Sequence, residues 1–99
     1  MAIRGTILVA DDEAAARQSL VEVLQEEGYH VYEAADGNTA LKLLDEVDVD
    51  LVLSNLKMPG ADGLEVLKKV RETCPQTMVM LMTAYVSVEI VVDALHMGA

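Results

Sequence analysis

The amino-acid sequence predicts an α/β protein built on one parallel sheet, and three observations support this. Short apolar runs alternate with helical periodicity along the chain, which is the pattern of successive βα units. The strand candidates are apolar almost throughout, as strands covered by helices on both faces are. The chain has 99 residues and is 53% hydrophobic, which allows one domain with little core to spare. Residues 1–99 are therefore predicted to form a single domain.

The first βα unit is predicted over residues 6–28. Its strand, residues 6–10, stops at three consecutive acids, and its helix runs over 14–27 with Gly28 just beyond the end. Four apolar positions of this helix recur at helical spacing and are predicted to face the core: Ala16, Leu20, Val23 and Leu24.

The second and third units follow the same plan. A strand over 31–34 leads through the turn 36–38, which supplies an N-cap, to a helix that ends near Glu46. A third strand over 51–54 leads to the loop 55–63, where proline and two glycines exclude regular structure. Pro75 ends the helix after this loop. The residues of the second and third helices predicted to face the core are Leu41, Leu44, Leu64, Leu67, Val70 and Cys74.

A fourth strand is predicted over 78–82, followed by a fourth helix from about Ser87 with Gly98 as its cap. The apolar positions of this helix recur at helical spacing: Val88, Val91, Val92 and Leu95. Methionine occupies positions 78, 80 and 82 of the strand. We interpret these methionines as core packing instead of a soft-metal site, because thioethers fill irregular gaps.

Composition and charge exclude several classes of protein. The 17 acids outnumber the 7 bases and give a net charge of −10, which disfavours direct binding to nucleic acid. A single cysteine cannot form an internal disulfide, and no apolar run approaches the roughly 20 residues of a membrane span. The first five residues lack the apolar core of a signal peptide. We therefore expect a cytoplasmic protein without membrane contact.

Polar side chains follow the predicted strands where each strand ends. Asp11 and Asp12 follow the first strand, Asn55 the third, and Thr83 and Ala84 the fourth. Because ligands of parallel α/β sheets bind at the carboxyl ends of the strands, these residues form the candidate site. The two carboxylates are typical ligands of Mg²⁺, but acids also stabilise the start of a helix, and both roles can hold at once.

Four segments together resemble a known family: residues 7–13, 50–63, 82–85 and 98–99. The chain is similar to the receiver domain of two-component response regulators, and residues 82–85 are most similar to receivers of the NtrC type. The resemblance implies a flavodoxin-like parallel sheet of order 2-1-3-4-5 and a role in phosphorelay signalling with a sensor histidine kinase as partner. In the parent protein it implies output ATPase and DNA-binding domains that regulate transcription.

The resemblance also implies roles for single residues. Asp12 would bind Mg²⁺ directly and Asp11 largely through water, and the backbone carbonyl of Lys57 would be a further ligand. Thr83, with Ala84 beside it, would contact the phosphoryl group when the switch is on. Asn55 stands where the family has the aspartate that is phosphorylated. Members of the family are phosphoproteins. Because an amide is a poor nucleophile and lacks the carboxylate charge, we expect no phosphoryl transfer to this chain, and we expect Mg²⁺ binding to be weak or absent.

Family receivers continue into a fifth strand and a fifth helix, which this chain does not carry. We therefore expect a receiver truncated to about four βα units, with an open edge at the fourth strand and a bare face beside the first helix. Exposed strand edges and apolar faces favour pairing with another chain. Self-association into an oligomer is the expected consequence.

Two alternatives to a phosphorylated receiver stay open. The chain could act as a degenerate receiver that binds proteins independently of phosphorylation. It could also be a magnesium-dependent phosphohydrolase, although such folds usually separate their two aspartates by one residue, whereas Asp11 and Asp12 are adjacent. No phosphate-binding glycine loop follows the first strand. We expect no enzymatic activity.

Overall fold

The computed structural model describes residues 5–82, which form a four-stranded parallel sheet of order β2-β1-β3-β4 with helices on both faces. This confirms the predicted fold and the predicted order of the first four strands. The strands are β1 (Thr6–Ala10), β2 (His30–Ala34), β3 (Leu51–Asn55) and β4 (Met78–Met82). The helices are α1 (Ala14–Glu26), α2 (Gly37–Glu46) and α3 (Gly63–Thr73). The predicted fourth helix from Ser87 and its cap at Gly98 lie outside the described residues.

The strand register brings the carboxyl ends of the central strands level with each other. Ala10 of β1 pairs with Ala34 of β2 on one side and with Ser54 of β3 on the other. Asn55 at the end of β3 pairs with Met82 at the end of β4. The residues that follow β1 and end β3 therefore lie at one edge of the sheet. We call Asp11, Asp12 and Asn55 the polar edge.

Two apolar layers hold the sheet between its helices. On the side of α2 and α3, the core contains residues of all four strands and of both helices, including the fully buried Leu8, Val52 and Leu67. On the side of α1, the core is smaller and contains Ile7, Val9, Val21 and Leu53. The unequal layers mean that most of the buried apolar area, and hence of the hydrophobic stabilisation, lies beneath α2 and α3.

Helix starts and ends are fixed by local hydrogen bonds and by one glycine. The Asp36 carboxylate accepts from the N–H of Thr39 at 2.7 Å and the Asp62 carboxylate from the N–H of Glu65 at 3.0 Å, so each aspartate caps the helix that follows. Gly28, with φ of 94°, ends α1 as predicted. No helix among residues 5–82 is both long enough and apolar enough to cross a bilayer.

The buried face of α1 differs from the predicted one. Val21 is the buried residue of this helix, whereas Val23 is 55% exposed and Ala16 is exposed. Leu20 and Leu24 are half-buried against the smaller core. The reason is that α1 packs over β1 and β2, so that one flank of its apolar stripe projects beyond the strands that it covers.

The prediction that the methionines of β4 pack in the core is wrong for two of them. Met78 is 67% exposed and Met80 55% exposed, while Met82 is half-buried in the α1-side core. Alternate residues of a strand share a face, so all three methionines point to the side of α1. They are exposed because α1 lies at the other end of the sheet, over β1 and β2.

Asp36→Ala is expected to lower the melting temperature at neutral pH, by a difference that shrinks in acid. The N–H of Thr39, and then its hydroxyl, hold the pKa of Asp36 below its ordinary value of 3.8. A carboxyl whose pKa is lower in the folded state stabilises the fold above pH 3.8 and loses that contribution as the pH falls through its folded-state pKa. Thermal unfolding at neutral pH and in acid measures this, with Asp36→Asn as a variant that keeps a cap acceptor without titrating. A difference that does not change with pH would contradict the assignment.

Candidate functional site

The structure brings three of the predicted site residues together at the polar edge. Asp11 and Asp12 follow β1, and Asn55 is the last residue of β3. The Nδ2 of Asn55 lies 3.3 Å from Oδ1 of Asp11 and 3.3 Å from Oδ1 of Asp12. Both distances are at the long end for an N–H···O hydrogen bond, so one amide group is shared loosely between two carboxylates.

Asp11 is held by main-chain and side-chain contacts on several sides. Its N–H donates to the carbonyl of Ala34 at 3.0 Å, which extends the pairing of β1 with β2 by one residue. Its Oδ1 accepts from the N–H of Glu13 at 2.9 Å, and Glu13 is the N-cap of α1 without a side-chain capping bond of its own. Asp11 therefore shapes the turn into α1 while it also faces Asn55. The helix-start role and a ligand role are compatible in this geometry.

The electrostatics of the polar edge favour a neutral donor or a cation between the two acids. Adjacent carboxylates repel each other unless positive charge or a hydrogen-bond donor lies between them. The Asn55 amide supplies such a donor to both, and Asn55 is half-buried while Asp12 is exposed. The Asn55 amide therefore relieves part of the repulsion between the carboxylates of Asp11 and Asp12.

The remaining predicted site residues are less closely defined. Lys57 lies two residues beyond Asn55 with an exposed side chain, and within residues 5–82 its ammonium makes no ion pair with either acid. The loop that contains it begins at Leu56, whose N–H donates to the carbonyl of Met82 at 2.9 Å. The predicted switch residues Thr83 and Ala84 lie outside the described residues.

The oxygen atoms of the polar edge fit a hard divalent cation. Within the part of the chain that the structure describes, no group of three or more His, Cys, Asp or Glu side chains is arranged to hold a metal. The two carboxylates and the amide of Asn55 nevertheless present the donor types that Mg²⁺ prefers, and Mg²⁺ is commonly bound by only one or two carboxylates with carbonyls and waters. A cation here would compete with the Asn55 N–H group for the same carboxylate oxygens.

Two features of the site were not visible in the sequence. The guanidinium of Arg17 contacts the main chain of Asp11, and no spacing signal singles out this base from the others. Gly37, the first residue of α2, approaches the β3–α3 loop so closely that a Cβ there would overlap the carbonyl group of Ala61. The loop that leaves the polar edge is therefore braced by α2. The sequence shows a glycine at a helix start, which by itself predicts no such contact.

A groove of about 440 Å³ lies at the opposite edge of the sheet, between the segments before β3 and β4. Its lining includes Asp48, Asp50 and the half-buried thiol of Cys74, which lies 3.4 Å from the hydroxyl of Thr73. The carboxyl ends of the strands, where α/β sheets bind their ligands, are at the other edge. The polar edge is accordingly the candidate site.

Asn55→Asp is expected to lower the melting temperature in the presence of a chelator. The substitution places a third negative charge where an amide now donates to two carboxylates, and two unit charges about 4 Å apart interact by about 4 kcal/mol at an effective dielectric of 20. Solvent screening at this partly exposed site reduces the expected loss of unfolding free energy to about 1–2 kcal/mol. Thermal unfolding in chelator measures it, and Asn38→Asp, an exposed position in α2, is the matched change of charge. An equal or higher melting temperature for Asn55→Asp would contradict the expected repulsion.

Comparison with known proteins agrees with this fold. The response regulator receiver domain family matches residues 7–99. The chain is 38% identical over 93 residues to sporulation initiation phosphotransferase F of Bacillus subtilis, covering 94% of this chain and 75% of that protein. It is 41% identical over 93 residues to the regulatory protein AtoC of Escherichia coli, a regulator of the NtrC type, covering 94% of this chain but 20% of that protein.

Solved structures show the same fold. A CheY-like receiver domain protein from Methanospirillum hungatei superposes with a TM-score of 0.94 at 32% identity, covering 99% of this chain and 78% of that chain. A response regulator protein from Burkholderia pseudomallei, whose structure contains a phosphorylated aspartic acid and a calcium ion, superposes with a TM-score of 0.89 at 26% identity. That match covers 96% of this chain and 56% of that chain.

Proposed function

This chain belongs to the family of response regulator receiver domains, and from that premise we propose that it is a receiver that does not accept a phosphoryl group. The observation that carries the proposal is the amide of Asn55 at the end of β3, within 3.3 Å of both Asp11 and Asp12. In the family this position holds the aspartate that becomes phosphorylated. The residue that should react is therefore replaced by one that donates hydrogen bonds to its neighbours.

The chemistry of the amide supports this proposal. Acceptance of a phosphoryl group requires an oxygen with available negative charge to attack phosphorus as the bond to the donor's leaving group breaks. The lone pair of the Asn55 nitrogen is delocalised into its carbonyl, and the amide carries no net charge. Asp11, Asp12, Asn55 and the carbonyl of Lys57 would hold Mg²⁺, weakly because one carboxylate is missing. When bound, Mg²⁺ supplies positive charge against phosphoryl oxygens.

The module would act by binding other proteins. We propose a sensor histidine kinase as the partner of the parent family, and output ATPase and DNA-binding domains in a longer protein. The chain spans 75% of the Bacillus relative but only 20% of AtoC, so these wider roles depend on sequence outside the aligned region. We propose a cytoplasmic location, as for the family, and the net charge of −10 disfavours direct binding to nucleic acid.

The alternative of a magnesium-dependent phosphohydrolase has less support. Such an enzyme needs a nucleophile beside its metal, and Asp11 here is occupied in the turn that begins α1 through its bond from Glu13 N–H. Asp12 is its direct neighbour in sequence, instead of lying one residue further on. We expect no turnover of a generic phosphate ester.

The proposal is tested by the mass of the intact chain after treatment with a small acyl phosphate and Mg²⁺. We expect the mass to be unchanged, because no side chain at the polar edge combines the charge and position of the missing acceptor. A gain equal to one phosphoryl group would overturn the proposal.

We also propose that the chain self-associates through the edge of β4 and the exposed apolar side chains on the α1 side of the sheet. Met78, Met80 and Val23 are the large apolar side chains that are most exposed among residues 5–82, and all three lie on the α1 side of the sheet. In the same described region, no strand pairs with the outer edge of β4. An exposed apolar strand edge is a template for pairing with a second copy.

The double substitution Met78→Lys with Met80→Lys is expected to shift the chain from oligomer to monomer at micromolar concentration. Lysine on an edge strand blocks pairing by charge and desolvation cost. Sedimentation measures the change, and Gln18→Lys with Gln25→Lys, on the exposed face of α1, adds the same charge elsewhere. If the unsubstituted chain is a monomer that unfolds cooperatively, the self-association proposal is contradicted.

A further inference from the structure

We propose that Arg17 is a positioning residue that holds Asp11 in place and thereby sets the geometry of the polar edge. This inference rests on the proposed function, because it assigns to Arg17 a role in the site that Asp11, Asp12 and Asn55 form. Arg17 belongs to α1 and not to the edge itself. Its guanidinium reaches back over the turn to the main chain of Asp11.

Two contacts fix the guanidinium. Nη1 of Arg17 donates to the main-chain carbonyl of Asp11 at 2.8 Å, and Nε donates to Oε1 of Glu33 at 3.0 Å. The Arg17 side chain is only 13% exposed, whereas that of Glu33 on β2 is 49% exposed. A largely buried arginine that donates to two acceptors is more constrained than a surface base, and it links α1, the β1–α1 turn and β2.

The contact to Asp11 completes the anchoring of that residue. The Asp11 N–H is already bound to the Ala34 carbonyl at 3.0 Å, so with Arg17 both main-chain polar groups of Asp11 are held by neighbours. When both main-chain polar groups of a residue are held, the direction in which its side chain leaves the main chain is restricted. Oδ1 of this carboxylate then accepts from both the Glu13 N–H and the Asn55 amide.

Glu33 directs the arginine away from the acids. Oε1 of Glu33 accepts from Nε of Arg17 and so gives the guanidinium an acidic partner on β2. The ion pair with Glu33 occupies Nε and leaves Nη1 for a neutral carbonyl. Arg17 therefore supports the site from outside without taking up its acidic oxygens. Loss of a residue that holds a metal ligand in place, without touching the metal, commonly lowers metal affinity by about 10–100-fold.

The test compares Arg17→Ala and Arg17→Lys in the chain and in its Asn55→Asp variant. Mg²⁺ is titrated while the amide signals of residues 11–13 are followed by NMR, and amide hydrogen exchange is measured without metal. We expect Arg17→Ala to weaken Mg²⁺ binding about tenfold and to speed exchange at Glu13, while exchange at buried Leu53 stays unchanged. We expect Arg17→Lys to restore part of the affinity. Lys42→Ala, which removes an exposed base of α2, is the matched loss of charge and should change neither quantity.

Two results would overturn the inference. One is equal Mg²⁺ affinity in the Asn55→Asp variant with and without Arg17→Ala. The other is unchanged exchange at Glu13 when Arg17 is replaced. If the Asn55→Asp variant itself binds no Mg²⁺, the metal role within the proposed function fails, and exchange at Glu13 alone then decides whether Arg17 positions Asp11.

Discussion

Gly37→Ala is expected to lower the free energy of unfolding by about 3 kcal/mol, although helix propensity alone predicts a gain of about 1 kcal/mol at such a position. A Cβ on Gly37 would overlap the carbonyl group of Ala61 and lie 2.9 Å from its Cα. The neighbour is main chain and cannot rotate out of the way, so α2 and the β3–α3 loop must separate. For a domain of this size a loss of 3 kcal/mol corresponds to a fall in melting temperature of more than about 10 °C.

Thermal unfolding measures this effect, with Gly5→Ala as its control. The added methyl group at Gly5 meets the carboxylate of Asp50 at 3.1 Å, a side-chain end that can move, and the ring of Tyr29 at 3.9 Å, an ordinary contact distance. Gly5→Ala should therefore change the melting temperature by a few degrees at most. If Gly37→Ala were as stable as the unsubstituted chain, the close approach of α2 to the loop that leaves the polar edge would be refuted.

Asn55→Asp is expected to convert the chain from one that stays unmodified into one that gains a single phosphoryl group. An oxygen of the carboxylate that the substitution introduces attacks the phosphorus of a small acyl phosphate, while the bond between phosphorus and the donor oxygen breaks and the donor leaves as a carboxylate. The acids at 11 and 12 remain in place to hold Mg²⁺, so the substitution restores the charge that the amide lacks. We expect the phosphorylated fraction of the chain to rise from zero to a measurable value.

The control for this gain is the double variant Asn55→Asp with Asp12→Asn. It keeps the acceptor carboxylate but removes one ligand of the proposed Mg²⁺ site, and we expect it to be modified far more slowly. Equal rates for the single and double variants would show that Asp12 has no part in the reaction. A chain carrying Asn55→Asp that is folded and yet never modified would show that the described edge lacks something that a receiver requires.

Much of the fold was predictable because each strand and helix has a strong local signal. β1 and β4 have the predicted bounds, Gly28 ends α1, and the strand order follows the prediction. The polar edge was predictable as well, because acids and an amide directly follow apolar strands whose carboxyl ends must meet. These features depend on patterns within about ten consecutive residues and on one topological rule.

The errors concern which neighbour covers a given face. The sequence pattern predicted that Val23, Met78 and Met80 face the core, but it carries no information on how far α1 extends across the sheet. The sequence pattern likewise does not predict the contact of Arg17 with Asp11 or the close approach of Gly37 to Ala61. Each joins segments whose relative position depends on the packing of the whole domain. Sequence patterns therefore indicated which polar residues lie together at one edge of the sheet, but not the contacts that hold them.

We propose that the amide of Asn55, which stands where the family is phosphorylated, prevents phosphorylation of this receiver. The most direct measurement treats the unsubstituted chain and Asn55→Asp side by side with the same small acyl phosphate and Mg²⁺, and determines the mass of the peptide that contains residue 55 in each. We predict no added phosphoryl group on the unsubstituted peptide and one on the substituted peptide. A phosphoryl group on the unsubstituted peptide would contradict the claim.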